Sequence, residues 1–160
     1  MTLDYGIHFL SHTTSLESAL SILEQKKFIA NKGYGTYFCL NKLRLGTNHI
    51  AVKQEVSLLL AWEGTIQESG IINPLDNPTS DTLYVEYAQY DPTSSNFGKD
   101  RPFQGRIFPP TSDSLSLIGA IFLVRLDKSQ ERIASKINEH VIKTMNINQK
   151  IAILEPSPFE

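Results

Sequence analysis

The chain has 160 residues, of which 41% are hydrophobic and 20% are charged, and its formal net charge is −2 at pH 7. These values predict one globular domain spanning residues 1–160, exclude a disordered chain, and give no general attraction to nucleic acid. The only cysteine, Cys39, excludes an internal disulfide. Since we also find no secretory leader and no apolar run long enough for a bilayer, we expect a cytoplasmic protein with no membrane partner.

The N-terminal stretch predicts a strand followed by a helix. Apolar residues precede His12, which is typical of a short strand ending on that histidine. Thr14 and Glu17 have the spacing of a capping box, so a helix is predicted to begin directly after Thr13. Apolar residues then recur at helical spacing, at Leu16, Leu20 and Leu23.

The next stretch, residues 33–38, predicts a sharp turn into an aromatic strand. Gly33 and Gly35 allow the backbone to turn or to approach a ligand closely before Tyr37.

The middle of the chain predicts strands between loops. Residues 43–54 favour a helix weakly, because Gly46 interrupts them. Residues 56–62 form an apolar run typical of a buried strand, residues 64–81 are rich in loop-forming residues, and residues 82–90 favour another strand. The expected core face of that last strand comprises Leu83, Val85 and Tyr87.

A long loop is predicted at about residues 91–116. It is rich in Pro, Gly, Ser and Asn but also carries basic and aromatic side chains, among them Arg106 and Phe108. Two interpretations are open: a flexible excursion pinned by its phenylalanines, or a lid that recognises a partner.

The C-terminal third predicts mostly strands. Residues 117–126 favour a central strand, residues 128–137 a short helix or turn, and residues 138–142 and 150–154 two closing strands. Strands therefore outnumber helices, and the predicted class is α+β with mainly antiparallel pairing.

Three motifs in this order resemble the ADP-ribosyltransferase superfamily, in the His-Tyr-Glu branch that includes poly(ADP-ribose) polymerase and diphtheria-toxin-like catalytic domains. They are the histidine and hydroxyls at residues 12–14 with the apolar pair at 22–23, the G-Y-G-T-Y-F sequence at 33–38, and the N-E-H-V-I sequence at 138–142. The resemblance implies a fold of mainly antiparallel sheets around an NAD cleft, with a helix after the first strand.

The resemblance also implies roles for individual residues. His12, Tyr37 and Glu139 would be catalytic, with Glu139 on the ribose hydroxyl and stabilising the positive charge that develops on the ribose. Tyr37 would stack on the nicotinamide ring. The residues implied to bind NAD, which would be a co-substrate, are His12, Thr13, Thr14, Gly35, Tyr37 and His49.

Two features depart from the family's pattern. Thr13 stands where the family usually has glycine, and the position of a second stacking tyrosine offers only Asn48 and His49. A metal site is the rival interpretation of the histidines, but no tight metal-binding spacing is present, so we expect no metal.

The leading hypothesis is therefore an NAD-dependent mono-ADP-ribosyltransferase that modifies a macromolecule, most simply a protein, as a bacterial or phage toxin or effector delivered into a host cytoplasm. Alternatives on the same fold are an RNA 2′-phosphotransferase, a DNA-modifying enzyme, and a non-catalytic module that binds NAD or ADP-ribose. An unrelated interaction domain, in which His12, Tyr37 and Glu139 never meet, is a further alternative.

Overall fold

The computed structural model describes residues 4–30, 35–40, 54–68, 78–86, 104–109, 111 and 115–155. The strands are β1 (Asp4–Thr14), β2 (Lys27–Ile29), β3 (Thr36–Leu40), β4 (Val56–Glu68), β5 (Thr82–Glu86), β6 (Gln104–Ile107), β7 (Leu115–Phe122) and β8 (Lys150–Leu154). The helices are α1 (Leu16–Gln25), after the first strand, and α2 (Lys128–Asn146). This confirms the predicted α+β class.

Five strands close into a small barrel, because β1 pairs with both β3 and β4. Around the ring the neighbours are β1, β3, β6, β5 and β4. One edge of β4 pairs with β1 along its length, from Val56 opposite Thr14 to Ile66 opposite Asp4. The other edge pairs with β7 at residues 56–62 and with β5 at residues 65–68. A single long strand thus joins the barrel to the rest of the sheet.

Three further strands extend the sheet beyond the barrel in the order β7, β8, β2. Among the described strands, the pairings are antiparallel except for β2 with β8 and β4 with β5. The expected predominance of antiparallel pairing is confirmed. No helix within the described ranges is long and apolar enough to cross a membrane.

The N-cap of helix α1 lies one residue later than the sequence predicts. Thr14 is the last residue of β1, and its carbonyl accepts a hydrogen bond from the backbone of Glu55, so its backbone is committed to the sheet. Ser15 is the N-cap instead, and its hydroxyl accepts from the backbone N–H of Ser18. The predicted capping box at Thr14 is therefore wrong by one position.

Helix α2 overturns the prediction of a strand at residues 138–142. It begins with a capping box, in which the Asp127 carboxylate accepts from the Gln130 backbone and the Gln130 side chain accepts from the Asp127 backbone. The hydrogen bond from the Gln130 backbone, together with one from the Ser129 hydroxyl, lowers the pKa of the exposed Asp127 carboxyl. The buried residues of α2 recur at helical spacing: Ala134, Ile137, Val141 and Thr144.

Two predicted loops also contain strands. The loop predicted at residues 64–81 begins with the last five residues of β4, and the loop predicted at residues 91–116 contains β6 and the first two residues of β7. The helix predicted at residues 43–54 falls almost entirely on residues outside the described ranges.

The core lies inside the barrel and between the sheet and the helices, where α1 and α2 pack against each other and α2 packs against β7. As predicted, Leu83 and Val85 of β5 belong to it, whereas Tyr87 lies outside the described residues. Its largest apolar members include Trp62, Phe28 and Phe38, which are almost completely buried. Phe28 of β2 reaches β3, since its ring meets that of Phe38 edge-on at 5.4 Å.

Candidate functional site

His12 lies near the end of β1 with its imidazole on the core side of the sheet. The ring meets Phe28 edge-on at a centroid distance of 5.0 Å and lies 5.7 Å from the ring of Phe38. Burial lowers the pKa of the imidazole, and the hydrogen bond to the Tyr37 backbone opposes that shift more weakly. His12 is therefore neutral at pH 7.

The Nδ1 atom of His12 lies 2.9 Å from the carbonyl oxygen of Tyr37. Because a carbonyl only accepts, Nδ1 carries the proton and donates it in this hydrogen bond. The first two motifs, 25 residues apart in the chain, are thus in direct contact. The contact is through the backbone of Tyr37 and leaves its phenol uninvolved.

Tyr37 presents its side chain to the face of the sheet opposite His12. Successive residues of a strand alternate between faces, and Phe38, the next residue, is the one whose ring contacts His12. Tyr37 is directly opposite Arg106 in the β3–β6 pairing. His12 and Tyr37 therefore do not place their side chains in one common cleft.

Thr13 shares the face of Tyr37 by the same alternation along β1. It is directly opposite Ser57 of β4, and its hydroxyl donates to the Ser57 hydroxyl at 3.2 Å. Continuing the β1–β3 register from Ser11 opposite Cys39 brings Thr13 opposite Tyr37. We call the four residues Thr13, Tyr37, Ser57 and Arg106 the polar face.

The polar face is mostly shielded from solvent. Ser57 and Arg106 are buried, and Thr13 and Tyr37 are half-buried. The guanidinium carbon of Arg106 lies 5.6 Å from the centre of the Tyr37 ring and 5.4 Å from that of Phe108. Both distances are typical of cation–π contacts. The face thus offers hydroxyls, an aromatic ring and a fixed positive charge.

Gly35 has a structural explanation in this fold. Its φ is +72°, in the left-handed region, and a Cβ atom there would lie 2.7 Å from the carbonyl oxygen of Ile107. The close approach that the G-Y-G sequence indicates is made to β6. Within the described ranges, no ligand contact is needed to explain this glycine.

Glu139 is not brought to the other two motifs. It lies on α2, 200° around the helix from the buried Ile137 at 100° per residue, and its side chain is exposed. The carboxylate thus faces solvent on the side of α2 opposite its packed face. The structure does not place His12, Tyr37 and Glu139 around one point.

Two further residues, Thr14 and His49, were predicted to bind NAD. Thr14 is buried at the end of β1, next to the backbone of Glu55. His49 lies outside the described residues. Among the described side chains, no group of three His, Cys, Asp or Glu residues is arranged to hold a metal ion.

Sequence reasoning missed two residues beside these positions. Arg106 was placed in a loop, and only the alternation of Arg106 and Phe108 around Ile107 indicates that the pair shares one strand face. Glu55 was given no role, yet its carboxylate accepts from the Leu16 backbone at 3.2 Å and from the Gln130 side chain at 3.0 Å. It connects the first turns of both helices to the start of β4.

Chemically, the polar face can bind a flat ring beside hydroxyl groups, with a cation close to the ring. It lacks a carboxylate among its own residues, so it does not by itself provide the group that cleavage of a glycosidic bond uses. No family model matches the chain, and comparisons with curated proteins and with solved structures also find no match.

Proposed function

We propose that this chain binds NAD, or the ADP-ribose part of NAD, at the polar face. The observation that carries the proposal is the hydrogen bond from His12 to the Tyr37 carbonyl, because it brings together the first two motifs of the resemblance. The same geometry puts the Thr13 hydroxyl and the Tyr37 ring on one face of neighbouring strands.

The chemistry of the polar face fits such a ligand. A half-buried tyrosine ring provides a surface on which a flat base can stack, and the neighbouring hydroxyls can exchange hydrogen bonds with a ribose. The half-buried His12 imidazole, which is neutral at pH 7, holds the backbone of Tyr37 from the opposite face of the sheet. A rigid platform loses little conformational entropy when the ligand binds.

A second candidate function is NAD-dependent mono-ADP-ribosyltransfer to a macromolecular acceptor. It is favoured by the succession β1, α1, β2, β3, which carries the motif residues in the order that the resemblance implies. The transfer chemistry needs a carboxylate near the ribose. Glu139 is exposed on the far side of α2, so the binding module is the better supported of the two.

Calorimetric titration of the purified chain with ADP-ribose and with NAD tests the binding proposal. Tyr37→Ala should weaken binding by about tenfold or more, since stacking contributes about 1–3 kcal/mol. The matched control is Phe9→Ala, which removes an exposed aromatic ring from the same face of β1. Absence of binding to the wild-type chain, or equal losses in both variants, would overturn the proposal.

Nicotinamide release from NAD separates the two candidates. The measurement compares the wild-type chain with Glu139→Gln, with and without a cell lysate as acceptor, and uses Glu131→Gln of the same helix as a control. Binding without release supports the module. Release that is lost in Glu139→Gln, retained in Glu131→Gln and increased by the lysate would favour the transferase instead, whereas release that the lysate does not increase would show hydrolysis of NAD by water.

A further inference from the structure

Helix α2 carries a row of basic side chains on the side that faces away from the core. The row, which we call the basic stripe, consists of four exposed residues: Lys128, Arg132, Lys136 and Lys143. At 100° per residue they fall within an arc of about 80°, nearly opposite the buried residues of the helix. The stripe is about 22 Å long at a rise of 1.5 Å per residue.

The basic stripe is positive although the chain as a whole is negative. Helix α2 has four basic and two acidic residues, a net charge of +2, whereas the whole chain has −2, so the remaining residues have −4. Within the part of the chain that the structure describes, none of the four basic side chains forms an ion pair, although Glu139 lies one turn from Lys136 and from Lys143. Their charges are thus available to an anionic partner.

Exposed apolar side chains lie beside the C-terminal end of the basic stripe. The exposed fraction is 60% for Ile142, 45% for Met145 and 58% for Ile147. Ile142 directly precedes Lys143, and Met145 lies one turn further on along the same flank of the helix. Removing these side chains from water is favourable, so this end of α2 suits a partner that is both anionic and apolar.

We propose that α2 binds the surface of a membrane that contains anionic lipids. The basic stripe contacts the lipid phosphates and carboxylates, and Ile142 and Ile147 enter the boundary between headgroups and acyl chains. The expectation of no membrane partner considered only segments that cross the bilayer, whereas α2 lies on its surface. This binding is independent of nucleotide binding at the polar face.

A lipid surface fits α2 better than a nucleic acid does. Phosphates of either partner attract the basic stripe, but exposed aliphatic side chains gain nothing from a phosphate backbone. Proteins that bind single strands stack the bases on aromatic rings, and α2 has no aromatic residue other than His140. An anionic bilayer instead provides negative charge and an apolar interior side by side.

Cosedimentation of the purified chain with lipid vesicles tests the proposal. The two probes are phosphatidylcholine vesicles with and without phosphatidylserine, at about 0.1 M salt. We expect binding to the vesicles that contain phosphatidylserine, little binding to the neutral ones, and weaker binding at higher salt. Absence of binding to either kind, or equal binding to both, would overturn the proposal.

Matched variants assign the binding to the basic stripe. Lys136→Gln should lower the partition coefficient about fivefold, as expected for one basic residue near an anionic surface. The control is Lys150→Gln, which removes an exposed lysine whose side chain donates to Ser116 of β7. Lys150 alternates with the buried Ile151, so it lies on the sheet face away from the helices, and its loss should have less than a twofold effect. Equal losses in the two variants would contradict the assignment.

The apolar contribution has its own pair of variants. Ile142→Ser should lower the partition coefficient about tenfold, whereas Ile7→Ser, at a similarly exposed isoleucine of β1, should leave it unchanged. Equal effects would contradict insertion of Ile142. A gel-shift measurement with a short DNA duplex tests the rival partner. A shift that is lost in Lys136→Gln, without binding to vesicles, would overturn the membrane proposal and identify the basic stripe as a nucleic-acid site.

Discussion

The His12 imidazole donates a hydrogen bond of 2.9 Å to the backbone carbonyl of Tyr37, yet the two side chains lie on opposite faces of the sheet. The half-buried histidine therefore packs against the core phenylalanines and fixes the strand carrying the tyrosine. A buried polar ring that lacks a partner is costly, so this hydrogen bond also explains how an imidazole is tolerated between two phenylalanines.

The burial of His12 predicts that stability falls as the pH is lowered. Because burial lowers its pKa in the folded chain below the unfolded value of about 6.5, the unfolded state takes up the proton first. This contribution is complete above about pH 6.5 and is lost as the pH falls through the folded pKa. Urea unfolding at pH 7.5 and at pH 5 should show a lower midpoint at pH 5.

His12→Asn separates this effect from the other titrating groups. The asparagine amide keeps a donor for the Tyr37 carbonyl but has no proton to gain, so the difference between the two pH values should shrink. His140→Asn, on α2, is the control and should retain the wild-type difference. An unchanged pH dependence in His12→Asn would show that His12 is not the group responsible.

Glu55 is predicted to stabilise the fold measurably by linking the two helices. Its carboxylate accepts hydrogen bonds from the Leu16 backbone and from the Gln130 side chain, so Glu55→Ala leaves two donors without their charged acceptor. We expect a loss of about 2 kcal/mol in the free energy of unfolding. Urea denaturation at neutral pH measures it.

The control for Glu55 is Glu24→Ala, which removes an exposed glutamate from α1. It should change the free energy of unfolding by no more than about 0.5 kcal/mol. Equal effects in the two variants would contradict a specific role for the Glu55 carboxylate.

The N-terminal third of the fold could be predicted because its pattern is local. The apolar residues before His12, the leucines of α1 and the turn at Gly35 each depend on neighbouring residues, and the corresponding elements are present. The short strand β2 was not predicted, because it forms only by pairing with the distant β8. The N-cap was displaced by one residue, since the strand pairing that holds Thr14 to Glu55 is a long-range contact. Local sequence does not encode such a contact.

The motif at residues 138–142 shows why the candidate site was harder to predict. A short run containing Val141 and Ile142 suits a strand as well as a helix when it is considered alone. The spacing of Ala134, Ile137 and Val141 is helical, but this periodicity can be recognised only in a stretch of sequence longer than the five residues of the motif. The resemblance of residues 138–142 to a family motif thus led to the prediction of a strand, whereas the periodicity of the longer stretch indicates a helix.

Arg106 could not be assigned from the sequence because its environment is assembled from three strands. Tyr37, Tyr84 and Arg106 are far apart in the chain and meet only through the β3–β6 and β5–β6 registers. The loop-like composition around β6 hid a strand of four residues.

The exposed position of Glu139 predicts that its carboxylate contributes little to nucleotide binding. Glu139→Gln should leave the dissociation constants for NAD and ADP-ribose within about twofold and the free energy of unfolding within about 0.5 kcal/mol. Calorimetry and urea denaturation provide the two values. A tenfold loss of affinity would mean that Glu139 reaches the ligand.

At Gly64, the space inside the barrel is predicted to be too small for a larger side chain. It lies directly opposite Gly6 of β1, and a Cβ atom at residue 64 would come within 2.5 Å of the Trp62 indole. The indole is almost completely buried and has little room to move. Gly64→Ala should therefore destabilise the fold by roughly 1–3 kcal/mol, as overpacking does. Thermal and urea unfolding measure the loss.

Gly119→Ala is the matched test of the same substitution in a strand. There the added Cβ would lie 3.6 Å from the nearest atom, in the Leu59 side chain, which is an ordinary contact distance. Alanine also restricts the unfolded chain more than glycine does, so stability should be unchanged or slightly raised. If both variants lost the same stability, the cause would be strand glycines in general and not the indole of Trp62.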